Sequence, residues 1–200
     1  MLLGLDFDNT LISYDVLFRK VAVDKGLIPT STLPQKNAVR DCLRQQGMEE
    51  EWIHLQGEVY GSRILEAEPY PEMKIALKAL SGMQVPMCIV SHKTRTPYRG
   101  HPWDLHAAAR SWLEQAGFHD SQVLGWPHES VYFELTKDAK IARIIELGCT
   151  HYVDDLPEIL DMLPDSIEKI FFSPSDEPVP NLSWKLMRNW RELPALLNIR

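Results

Sequence analysis

At 200 residues the chain is one domain, or one domain with a modest insertion, and its 28 acidic against 21 basic residues give a net charge of −7. That balance excludes nonspecific binding to nucleic acid or to an anionic membrane surface, so any phosphate group must be held by local charge. Three cysteines, Cys42, Cys88 and Cys149, stand far apart with no C-x-x-C pair, which argues against a disulfide framework or a structural zinc and for a reducing compartment. The first apolar run is cut by Asp6 before a signal sequence could form, and nothing approaches the roughly 18 apolar residues of a spanning helix, so a cytoplasmic location is expected.

Residues 1–12 read M-L-L-G-L-D-F-D-N-T-L-I, an apolar strand that ends on Asp6 and Asp8 and is followed by Asn9 and Thr10. If the strand runs that far, alternation puts Asp6 and Asp8 on one side and Leu5 and Phe7 on the other. Two carboxylates so close need a cation or a shared proton between them. Residues 14–25 predict a helix and 27–34, with two prolines, a linker. Residues 35–68 read as helical, broken at Gln46-Gly47-Met48, with Val39, Leu43, Trp52, Leu55, Val59 and Leu65 as the buried stripes.

A short helix over 72–80 precedes a nearly continuous apolar run, 85–90, of the kind found in strands buried on both faces. It stops on Ser91, His92 and Lys93. A basic loop follows over 94–101, then a helix over 103–116, then one or two short extended pieces within 122–135. Thr136 is the expected N-cap of a helix over 137–147, with Ile141, Ile144 and Ile145 buried. A short strand over 151–153 again stops on carboxylates, Asp154 and Asp155. Beyond it the pattern predicts a helix over 156–163, a strand over 167–172, a proline-rich surface loop over 173–180 and a final helix over 183–197. Strands alternating with helices imply an α/β fold with a mostly parallel sheet.

Three strands thus end in polar residues: Asp6 and Asp8, then Ser91, then Asp154 and Asp155. Open α/β sheets bind ligands beyond the carboxyl ends of their strands, where these groups would converge. Four carboxylates at close range call for a divalent cation, and all-oxygen ligation suits magnesium. Lys137 or Lys140 would add a fixed positive charge. An EF-hand is excluded, because that pattern wants Gly where Leu11 stands and Glu where Leu17 stands.

The motif order resembles the haloacid dehalogenase-like (HAD) superfamily: Asp6-Phe-Asp8-Asn-Thr10, then Ser91, a lysine, and Asp154-Asp155. The resemblance implies a Rossmann-like core at 1–12 and 72–200, flanked by helices, with a small helical cap inserted at 13–71. It implies that Asp6 is the nucleophile of a phosphatase, forming an aspartyl-phosphate, and that Asp8 is the general acid and base. Asp8 favours phosphatase over dehalogenase chemistry, since expelling halide needs no leaving-group proton. Ser91 would hydrogen-bond the phosphoryl group, and Lys137, at the helix start, is preferred over Lys140 for neutralising it. Magnesium would be held by Asp6, Asp8 through its backbone carbonyl, Asp154 and Asp155. Asn9, Thr10, His92 and Lys93 are candidate substrate contacts, the substrate being a small phosphorylated metabolite.

Two positions depart from that pattern, Val153 in place of a glycine and Glu158 in place of a third late Asp. Phosphotransferase or phosphomutase chemistry would use the same intermediate. A receiver module, phosphorylated rather than catalytic, is the alternative of a different class, but it carries its acid pair first and its lone aspartate in mid-chain. The basic loop with Lys93, Arg95, Arg99 and His101 is either solvated or helps orient an anionic substrate. His106, His119, His128 and His151 lack metal-ligand spacing. Trp184, Trp190, Leu193 and Leu197 are packing residues, and Tyr14, Trp52, Tyr60 and Arg63 are candidate cap contacts.

Overall fold

The computed structural model describes residues 1–175, 179 and 183–199. In chain order its elements are β1 (Leu3–Leu5), β2 (Ile12–Ser13), α1 (Asp15–Asp24), α2 (Lys36–Gln45), α3 (Glu49–Tyr60), β3 (Glu68–Pro69), α4 (Met73–Gly82) and β4 (Met87–His92). They continue with α5 (Leu105–Gln115), β5 (Val131–Glu134), α6 (Lys137–Glu146), β6 (His151–Asp154), α7 (Pro157–Met162), β7 (Glu168–Phe172), β8 (Lys185–Met187) and α8 (Leu193–Leu196). Six strands form one sheet in the order β5-β4-β1-β6-β7-β8, with every pairing parallel. The α/β expectation holds, and no described helix is long and apolar enough to cross a membrane.

The chain divides into two compact units, one made of residues 1–12, 69–92 and 117–200, the other of 13–68 and 93–116. The second unit therefore takes in the loop after β4 and α5, segments outside the 13–71 insertion that the resemblance implies.

In the first unit β1 lies centrally, paired with β4 on one side and β6 on the other, so the strand order reverses beside it. Leu3 and Leu5 are fully buried, as a strand covered on both faces requires. Gly4 faces the tightest packing: a Cβ there would stand 2.6 Å from Tyr152 Cδ2 and 3.0 Å from Cys149 Sγ. Helix α6 starts where the Thr136 hydroxyl accepts the Ala139 N–H at 3.1 Å, as its sequence predicted. Its buried stripe is Lys140, Ile141 and Ile144, whereas Ile145 is 51% exposed. The expected burial of Ile145 is corrected on geometry: it lies about 100° round the helix from Ile144.

The opening strand ends at Leu5, directly before Asp6. One further expectation is corrected. The final helix over 183–197 is instead a strand, β8, a 3-10 turn at Trp190–Glu192 and the short α8. Residues Lys185–Met187 add to the sheet edge through the Ile170↔Lys185 register, a tertiary pairing that helical spacing does not report. Trp190, Leu193 and Leu197 are buried as expected. The loop anticipated at 173–180 falls largely outside the described residues.

The second unit is helical, with α1, α2, α3, α5 and a 3-10 turn at Ile64–Glu66. The turn buries Ile64 and leaves Leu65 43% exposed, the reverse of the expected stripe. Aromatic packing is its centre: Tyr14 and Tyr60 meet edge-on at 4.8 Å, and Phe18 lies 5.0 Å from Trp52. On α5, Trp112 donates Nε1–H to the Ala67 carbonyl at 2.8 Å.

Candidate active site

Asp6, Ser91, Lys140, Asp154 and Asp155 all belong to the first unit. After β1 the Asp6 N–H donates to the Val153 carbonyl at 2.9 Å, extending the β1–β6 ladder by one bond. The chain then folds over itself: the N–H groups of Thr10, Leu11 and Ile12 point at the Phe7 carbonyl, at 3.4, 3.0 and 3.3 Å. Asn9 turns the loop with φ 56°, a left-handed conformation that asparagine tolerates. Thr10 is fully buried with its hydroxyl 3.5 Å from Asp6 Oδ2.

Asp6 is 4% exposed. Its Oδ1 accepts the Ser91 hydroxyl at 2.8 Å and the Lys140 ammonium at 2.6 Å. Lys140 also donates to Asp154 Oδ2 at 2.6 Å. Asp154 Oδ1 accepts the Leu156 N–H at 2.9 Å, which fixes the carboxylate at the start of α7. Oxygen atoms of Asp6, Asp154 and Asp155 lie within 4.8 Å of one another. Residues from the ends of β1, β4 and β6 and from the first turn of α6 thus meet at the point where the strand order reverses.

No family model matches the chain, and no curated protein matches it in sequence. Solved structures match along nearly its whole length. A HAD family hydrolase from Deinococcus radiodurans R1, solved with bound phosphate and sodium, is 15% identical over 98% of this chain and 93% of its own, with a TM-score of 0.58. A predicted phosphoglycolate phosphatase from Haemophilus somnus is 14% identical over 98% and 97%, with a TM-score of 0.58. A structure described as a dehalogenase is 13% identical over 99% and 97%, with a TM-score of 0.55. The chain has the haloacid dehalogenase-like fold.

In this HAD-like core the lysine at the site is Lys140 and not the preferred Lys137. Lys137 Nζ pairs with Glu158 at 2.7 Å, and the two side chains are 40% and 57% exposed. Two residues that the resemblance drew toward the site are therefore paired with each other at the surface. Lys140 is 1% exposed, and burial works against its charge, but the carboxylates of Asp6 and Asp154 more than offset that and hold it protonated. Burial pushes Asp154 up to about 7, against the pull of Lys140 and with the push of Asp6. A carboxylate so placed gains from a further cation.

Asp8 is half-buried and bridges to Ile12 through its backbone; its carboxylate is outside the trio of Asp6, Asp154 and Asp155. His92 is half-buried at the end of β4, opposite Glu134. Lys93 opens a segment of the second unit, is buried, and has Nζ 5.3 Å from the centre of the Tyr60 ring. Of the candidate cap contacts, Tyr14, Trp52 and Tyr60 belong to the aromatic centre, and Arg63 is tied to Glu66 and to Asp24. His106 Nε2 donates to the Lys93 carbonyl and His119 Nδ1 to the Trp126 carbonyl, each at 2.8 Å.

Tyr152 escaped the sequence reading. Its ring covers Gly4, its hydroxyl donates to the Val90 carbonyl next to Ser91, and Lys140 Nζ lies 5.6 Å from the ring centre. The available signal was alternation, since Tyr152 and Asp154 share a face of β6.

Proposed function

We propose that the chain is a magnesium-dependent phosphatase that hydrolyses a small phosphomonoester through an aspartyl-phosphate on Asp6. One observation carries this reading: a buried carboxylate, Asp6, has one oxygen anchored by a hydroxyl and an ammonium while the other keeps a single 3.5 Å contact with Thr10. Anchoring Oδ1 leaves Oδ2 to attack.

The donor set fits a hard divalent cation. Asp6, Asp154 and Asp155 offer oxygen only, and with Lys140 counted they leave two formal negative charges, matching Mg2+. When bound by these carboxylates, the ion supplies charge neutralisation for the phosphoryl oxygens. Ser91 and Lys140 orient Asp6; the third N–H of Lys140, and the Ser91 hydroxyl once it turns from Asp6, are donors for the transferring group as charge builds on it. Oδ2 of Asp6 forms a bond to phosphorus while the bond to the leaving oxygen breaks, and Asp8 gives that oxygen its proton. Asp8 then takes a proton from the water that attacks phosphorus, releasing inorganic phosphate and restoring Asp6. The helical second unit is read as a cap that restricts the substrate to small metabolites. A cytoplasmic setting accords with the three free cysteines.

The test is phosphate release from a panel of phosphorylated metabolites in MgCl2, in EDTA, and by the Asp6→Asn variant. Release is expected only from the unaltered chain with magnesium. Release that persists in both EDTA and Asp6→Asn refutes the mechanism.

A further inference from the structure

In the second unit the loop after β4 lies on α3. Gly57 permits this, since a Cβ there would stand 3.1 Å from Pro97 Cβ and 3.4 Å from the Arg99 carbonyl oxygen. Beside that contact is a pocket of about 210 Å³, walled by His54, Glu58, Ser62, Arg99, His101 and Trp103. Gly100 takes φ 84°, so the chain turns sharply and both of its neighbours, Arg99 and His101, face the pocket. The rings of His101 and Trp103 lie 4.0 Å apart and make one wall.

The lining carries one cation, Arg99, and one carboxylate, Glu58. Glu58 is neutralised by Lys25 at 2.6 Å. Arg95, from the same loop, is taken up by Asp104 at 3.0 Å. Among the described residues, the Arg99 side chain has neither a hydrogen bond nor an ion pair. A solitary surface guanidinium means little, but this one shares a pocket with two imidazoles and a hydroxyl. A guanidinium presents paired N–H donors that match two oxygens of a phosphoryl or carboxylate group. The volume is below the roughly 300–1,000 Å³ of sites that enclose drug-sized ligands, so the fit is to an anionic group and not to a whole cofactor.

We propose that this pocket binds a small oxyanion, the phosphoryl or carboxylate end of a metabolite, with Arg99 as its bidentate donor and Ser62, His54 and His101 around it. The site is built from the second unit alone and does not depend on chemistry at Asp6.

The experiment follows the His54 and His101 side-chain resonances of the full chain by NMR, titrated with pyrophosphate, inorganic phosphate or citrate, with sodium chloride holding ionic strength constant. Saturable shifts of both rings are expected, with affinity at least tenfold weaker in Arg99→Ala and partly kept in Arg99→Lys. Gly100→Ala would bring a methyl 2.9 Å from His54 Nδ1 and is expected to weaken binding as well. Response to the phosphates alone assigns a phosphoryl ligand, and response to citrate alone a carboxylate. Shifts that chloride reproduces, or that persist unchanged in Arg99→Ala, overturn the proposal.

Discussion

Replacing Lys140 with methionine keeps the length of the side chain and removes its charge. Lys140 is 1% exposed and its Nζ stands 2.6 Å from both Asp6 and Asp154, themselves 4% and 0% exposed. Its loss leaves two buried carboxylates facing each other without their common partner. Removing one member of a buried ion pair costs about 3–5 kcal/mol. With a urea m-value of about 2 kcal/mol/M, the unfolding midpoint of Lys140→Met should fall by about 1.5–2.5 M. Lys137→Met is the internal control, because its pair with Glu158 is solvated and such pairs contribute about 0–1 kcal/mol. Urea unfolding followed by circular dichroism at neutral pH, without divalent ions, separates the two. Adding MgCl2 should restore part of the loss in Lys140→Met, by about 2.7 kcal/mol at a hundredfold excess over its dissociation constant. If Lys137→Met proves as damaging as Lys140→Met, the assignment of the buried lysine is wrong.

Gly4→Ala forces a methyl to within 2.6 Å of Tyr152, and overpacking of this kind costs about 1–3 kcal/mol, read as a lowered thermal midpoint; an unchanged midpoint would show that Tyr152 moves freely. Burial holds His151 below the ordinary imidazole range, with Lys185 acting in the same direction and Glu168 opposing. The folded chain then binds fewer protons at this residue than the unfolded chain, so its contribution is fully present above about pH 6.5 and is lost as pH falls through the lowered value. His151→Asn should flatten the decline of stability on the acid side, and a slope equal to that of the unaltered chain would count against the assignment.

Asp6, Ser91 and Asp154 were legible in combination, because each closes a predicted strand and, in an open α/β sheet, strand ends share one crevice. Lys140 was legible too, in a different pattern. It occupies the same helical stripe as Ile141 and Ile144, and a lysine in an apolar stripe must find negative charge. The preference for Lys137 followed position along the helix, whereas burial follows angle around it. The last segment failed for a related reason: the 3.6-residue spacing of Trp190, Leu193 and Leu197 is real, but the backbone of Lys185–Met187 answers to the edge of β7, which no local period encodes. Placement of 93–116 in the second unit was likewise invisible, because the loop is fixed by what it packs on, the bare Gly57 surface of α3, and not by its own composition.

The two cationic groups differ in how their charge is held. Lys140 is a buried charge whose position is over-determined by two carboxylates, so its role is to hold Asp6 and Asp154 in one geometry before any ligand arrives. Arg99 is exposed and lacks such partners among the described residues, so an incoming anion would meet a donor that need not first break an ion pair. A change at Lys140 should therefore be felt first in stability, and a change at Arg99 only when an anion is present.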